Sequence, residues 1–165
     1  MKIGYYPEKH IRNNVSFFLE EHARKQPDKV AFYFLPETAL QSGSFNHEFI
    51  TYGDFNKKVG DVAGGLLQVG LRKGDRIIVF VPISPELYIS IAALQRIGAI
   101  PVLLDSWSRQ EQLAAIIQNS DPHGIIAPAA RLQAFESYLD GFGINIRISA
   151  NGYSSGRNAI KLVDL

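Results

Sequence analysis

The sequence predicts an α/β protein, a Rossmann-like parallel sheet with helices on both faces. Short continuous apolar runs, Ile77 to Val81 and Ile100 to Leu104 above all, have the composition of strands buried on both sides. Between such runs lie segments whose apolar residues recur every three or four positions and end in a glycine or a turn. That is the pattern of amphipathic helices returning the chain to one sheet, and right-handed crossovers then build the layer.

The elements follow in order. Asn14 caps a helix running to about Gln26, with Val15, Phe18, Leu19 and His22 on its inner stripe, and Gln26-Pro27-Asp28 ends it. Val30 to Leu35 is an apolar, aromatic-rich strand. Residues 36–47 are polar around Gln41-Ser42-Gly43-Ser44 and form a variable loop before a short strand ending at Ile50. Thr51 and Asp54 make an approximate capping box for a second helix whose Phe55, Val59, Val62, Ala63, Leu66 and Leu67 share helical spacing; Gly70 and the turn Arg72-Lys73-Gly74-Asp75 stop it. After the strand at Ile77, Ser84-Pro85-Glu86 supplies an N-cap, a helix-start proline and a first-turn carboxylate. Ile100 to Leu104 is a further buried strand, and Ser108 with Glu111 caps a helix carrying Leu113, Ile116 and Ile117. Gly124 to Ala127, Ile144 to Ile148 and Ile160 to Val163 read as short strands, with one helix bearing Leu132, Phe135 and Leu139 between the first two.

Composition narrows the function. A chain of 165 residues, 46% hydrophobic and 20% charged, suits one domain with a single sizeable core. A net charge of +1 without blocks of like charge gives no footprint for nucleic acid or an anionic membrane surface. The sequence has no cysteine, which excludes a disulfide scaffold, a thiolate nucleophile and a cysteine-based zinc site. No stretch approaches the roughly 18 apolar residues of a membrane span, and the first ten residues do not resemble a signal peptide. A soluble, cytoplasmic protein is expected.

No catalytic constellation emerges. His10, His22, His47 and His123 fit no metal spacing, and His22 is expected as a satisfied boundary residue. The adjacent Glu20 and Glu21 face different sides of a helix, and no glycine-rich phosphate motif occurs. Catalytic, cofactor-binding and metal residues are therefore assigned nowhere in this chain. Ligands of open α/β sheets bind beyond the carboxyl ends of strands, which points to Pro82-Ile83-Ser84 and Asp105-Ser106-Trp107-Ser108. Ser84, Ser106 and Trp107 are the candidates for a substrate-channel wall. Trp107, the single tryptophan, either walls that channel or anchors the loop by packing on the next helix.

Four pieces of the sequence resemble, in order, the motifs of adenylate-forming enzymes, the superfamily of acyl-CoA synthetases, peptide-synthetase adenylation domains and luciferases. They are Phe49 to Phe55, Gly70 to Val79, Val81 to Leu87, and the run Leu94-Gln95-Arg96-Ile97-Gly98-Ala99-Ile100-Pro101-Val102-Leu103-Leu104-Asp105. The ending Leu-Leu-Asp-Ser-Trp departs from the family pattern, in which a proline adjoins the aspartate. The tail Tyr153-Ser154-Ser155-Gly156-Arg157 superficially resembles the family's pyrophosphate-cradling loop but lacks its second glycine, proline and lysine, and reads as a surface loop.

The resemblance implies a single partial domain over residues 1–165, the N-terminal portion of an ATP-dependent carboxylate-activating ligase. The parent would use ATP and magnesium to form an acyl-adenylate and pass the acyl group to a thiol, that of coenzyme A, in a fatty-acid-type metabolism. This chain is expected to be inactive alone. A non-catalytic binding module on the same fold is the alternative, and an unrelated nucleotide-binding domain is disfavoured because no phosphate loop follows the first strand. In the family a second subdomain covers the helix from Ser84 to Ile97. Its Leu87, Ile91, Leu94 and Ile97 suit the chain's own sheet, while Tyr88, Ile89, Ala92 and Ala93 make the opposite side apolar. The expected partner is the remainder of the ligase or, through that uncovered face, a second copy in a homodimer.

Overall fold

The computed structural model describes residues 14–36, 43, 46–105, 107–151 and 159–164. Helix α1 (Ser16–Lys25) leads into β1 (Val30–Phe34), which pairs antiparallel with β2 (Glu48–Thr51) through a register irregularity between Val30 and Phe32. Helix α2 (Tyr52–Gln68) follows, then β3 (Arg76–Val79), α3 (Pro85–Ile97), β4 (Ile100–Leu103), α4 (Gln110–Ser120) and β5 (Gly124–Ala127). Two short helices, α5 (Ala129–Ala134) and α6 (Glu136–Gly141), precede β6 (Ile146–Ser149), β7 (Ala159–Lys161) and a 3-10 turn, Leu162–Asp164. The five strands β3 to β7 form one parallel sheet in the order β4-β3-β5-β6-β7, separate from the β1–β2 ribbon.

Alternation along the strands divides the interior into two cores. Ile77, Val79, Ile126 and Ile148 point to one face and pack with Val59, Leu66, Ile89, Ala93 and Leu94 of α2 and α3. Ile78, Phe80 and Ile125 point to the other and pack with Leu113 and Ile117 of α4 and with Leu132, Phe135 and Leu139. Both faces of the sheet are thus helix-covered, as the continuous apolar strands require.

Turn chemistry sets the boundaries. Gly70, Gly74 and Gly98 carry φ of +101°, +91° and +78°, values that a side chain resists, so the helix ends and the turn fall where glycine occurs. Thr51 Oγ1 accepts from the Asp54 N–H at 3.1 Å and donates to the Asp54 carboxylate at 2.8 Å, so the cap forms but Asp54 bonds the hydroxyl rather than the Thr51 N–H.

Several expectations change. The buried face of α1 carries Ser16, Ala23 and partly buried Leu19, while Val15, Phe18 and His22 are exposed. Arg96 sets this rotation: its Nε donates to Ser16 Oγ at 3.0 Å, its Nη2 to Asn56 Oδ1 at 2.7 Å, and Glu20 lies 3.4 Å away. Asn14 does cap, accepting from the Ser16 N–H at 2.9 Å, and its amide donates to the Gln95 carbonyl of α3. Leu67 is exposed on the far side of α2. The helix after β5 breaks at Phe135 into two, and β7 gives way to the 3-10 turn at Leu162.

Helix α3 presents no uncovered face built on Ile89. Ile89 is 7% exposed and Ala93 fully buried, and the Tyr88 ring sits 5.3 Å from that of Phe32. The chain's own α2 and ribbon cover Ile89 and Ala93, while Tyr88 stays 45% exposed, so of the face expected to be open only the Tyr88 end is so. Strand β4 differs in the opposite sense: it is the sheet's outer strand, and Ile100 and Leu103 are exposed. An uninterrupted apolar run looks the same in a central strand as in an edge strand.

Candidate functional site

The strand order has a reversal beside β3. From β3 the chain crosses through α3 on one face to β4, then through α4 on the other face to β5 on the far side of β3. The loops leaving β3 and β4 at their carboxyl ends therefore run to opposite faces, and the strand order reverses between β3 and β5, the position at which open α/β sheets bind ligands.

The β3 loop is the first wall. Phe80 still donates to the Ile126 carbonyl at 2.8 Å, after which Pro82 and Ile83 leave the sheet, with Ile83 84% exposed. Ser84 is the N-cap residue of α3, extended at φ −162°, and Pro85 takes the first helical position as expected. The Ser84 hydroxyl makes no capping bond to the helix, so the residue holds the cap position without its hydrogen bond.

The β4 loop is the second wall. Leu104 donates to the Val79 carbonyl at 3.1 Å, and Asp105 then folds the chain back: its Oδ1 accepts from the Trp107 N–H at 3.3 Å and its carbonyl from the Ser108 N–H at 2.9 Å. This turn buries Ser108 and uses its N–H. The helix consequently starts one residue later than expected, with Arg109 at the N-cap and its N–H donating to Gln112 Oε1 at 2.7 Å. Trp107 is 80% exposed and does not pack on α4, so the anchor reading fails. Ser106 lies outside the described residues.

Elsewhere on the carboxyl edge a contact not anticipated from the sequence joins two elements. Asn151 Oδ1 accepts from the Ala129 N–H at 3.0 Å and from the buried Ser149 hydroxyl at 3.1 Å, tying the exit of β6 to the start of α5. The only sequence signal was the small polar pair Ser149 and Asn151 at a strand end.

Other polar groups are engaged structurally. Glu20 faces Arg96 while Glu21 binds Lys25 at 2.6 Å, so the two carboxylates diverge as expected. The Lys25 ammonium holds the Glu21 carboxyl below its ordinary range. Burial lowers the Arg96 pKa and Glu20 opposes the shift. His22 Nδ1 lies 2.7 Å from the Phe18 carbonyl with its ring 5.3 Å from Tyr52, and His123 faces Asp75 at 3.4 Å. Among the described residues no three His, Asp or Glu side chains converge on a metal position. The tail residues 153–157 and His10 lie outside the described residues.

A nucleoside triphosphate needs cations or free N–H groups around its phosphates. Ile83, Trp107 and Asp105 offer apolar surface and a carboxylate, and Arg109 at the start of α4 is an exposed cation beside them.

A parallel sheet covered by helices on both faces, with its strand order reversing at β3, makes this chain an open α/β layer. It belongs to the AMP-binding enzyme family, whose model matches residues 19–156. It is similar to acetyl-coenzyme A synthetases, 36% identical to that of Methanothrix soehngenii over 53% of this chain and 13% of the relative. With that of Alkalilimnicola ehrlichii it shares 35% identity over 66% of this chain and 16% of the relative. Among solved structures, the N-terminal subdomain of Klebsiella oxytoca NpsA in complex with 3-hydroxyanthranilyl-AMSN is 27% identical, with a TM-score of 0.59 over 69% of this chain and 26% of that one. A Rhodopseudomonas palustris protein described as a long-chain-fatty-acid CoA ligase shares the fold at a TM-score of 0.71 and 20% identity, over 92% of this chain and 35% of that one. The chain thus spans about one eighth of the curated relatives' length and up to about a third of the solved ones. Among the described residues no helix is long and apolar enough to cross a membrane.

Proposed function

We propose that this chain is the N-terminal part of the large domain of a cytoplasmic ATP-dependent ligase that activates a carboxylic acid. In the whole enzyme the carboxylate attacks the α-phosphorus of ATP, giving an acyl-adenylate and releasing pyrophosphate. A thiolate, that of coenzyme A, then attacks the acyl carbon and AMP leaves. The observation that carries this reading is the family match over residues 19–156, which spans the loops leaving β3, β4 and β5. The acetyl-coenzyme A synthetases among the relatives support coenzyme A as acceptor. In this reading Ser84, Ser106 and Trp107 wall the substrate channel, with Trp107 as its apolar surface. Magnesium and the groups that stabilise charge on the transferring phosphate belong to polypeptide beyond these residues. The partner of this chain in this reading is that polypeptide.

The test has two arms. Calorimetry of the 165-residue chain with ATP and magnesium is expected to show no binding, and a micromolar dissociation constant would overturn the assignment of phosphate chemistry elsewhere. Supplying the rest of the ligase polypeptide is expected to restore carboxylate-dependent AMP and pyrophosphate formation. Complementation without such activity would favour a non-catalytic binding module.

A further inference from the structure

We draw no further inference here: the strongest candidate, the cavity between α1 and α3 lined by Asn14, Ser16, Phe17, Glu20 and Arg96, carries nothing because the Arg96 guanidinium that would recognise a ligand there is already engaged by Ser16, Asn56 and Glu20 and belongs to the packing of α1 on α3.

Discussion

Gly98 joins α3 to β4, and Gly98→Ala should be among the most costly single-methyl additions in this chain. Two separate effects act there. The residue sits at φ +78°, and a side chain in that left-handed conformation costs about 1–2 kcal/mol. The new Cβ would also lie 2.9 Å from Lys73 Cγ and 3.3 Å from Lys73 Cβ, near the root of that side chain where it has little freedom to move aside. Overpacking of this kind costs about 1–3 kcal/mol. The sum is near ~3 kcal/mol, read in a thermal scan as a fall of roughly 6–12 °C for a domain of this size. Gly70→Ala supplies the reference: φ is +101° but a Cβ there meets nothing within 4 Å, so only the backbone cost remains. Urea unfolding of Gly98→Ala, Lys73→Ala and the double variant separates the effects, since removing Lys73 Cγ should return about 1 kcal/mol of the loss. A Gly98→Ala cost that matches Gly70→Ala and is unchanged by Lys73→Ala would refute the steric half of the reasoning. No loss at all would refute both halves.

Arg96→Met should destabilise the chain by about 1–3 kcal/mol, through loss of hydrogen bonds to Ser16 and Asn56, with exchange protection lost first in α1. Because the folded Glu21 pKa is depressed by Lys25, the stabilisation from that pair is present above the ordinary carboxylate pKa and fades as pH falls through the lowered folded value; Lys25→Ala should move the NMR-measured Glu21 titration back up. The Lys25 end of the pair is open to solvent and screened, so the accompanying stability change should be small. Trp107→Ala should leave unfolding within about 0.5 kcal/mol of wild type. As the sole tryptophan, Trp107 should emit as a water-exposed indole readily quenched by acrylamide, and a blue emission would contradict its exposed placement.

Much of the architecture was legible because local signals agreed. The runs at Ile77 and Gly124, the glycines at 70, 74 and 98 and the Ser84-Pro85 start each name one local conformation, and each stands where it was expected. What escaped were decisions made by distant partners. The inner face of α1 is chosen by Arg96, a residue 80 positions away from Ser16, so the apolar stripe of that helix misled. The start of α4 was displaced by the turn at Asp105, whose hydrogen bonds leave no periodic trace. Whether Ile89 or Leu103 is covered depends on which elements lie beside it, and an apolar residue does not name its neighbour. The candidate site could be placed only in part: strand ends are visible in sequence, but the reversal beside β3 and the tie made by Asn151 belong to topology.

The division of the interior into two clusters with no residue in common also bears on how this chain can vary. Ile77 and Ile78 are neighbours in sequence yet belong to different packing problems, separated by the thickness of the backbone. Substitutions at Leu66 and Leu113 should therefore combine without interaction, and each face can be repacked while the other stays as it is. Drift in the helices on one side need not await compensation on the other. Relatives are accordingly expected to preserve the pattern of strand ends more faithfully than the identity of the side chains on either face.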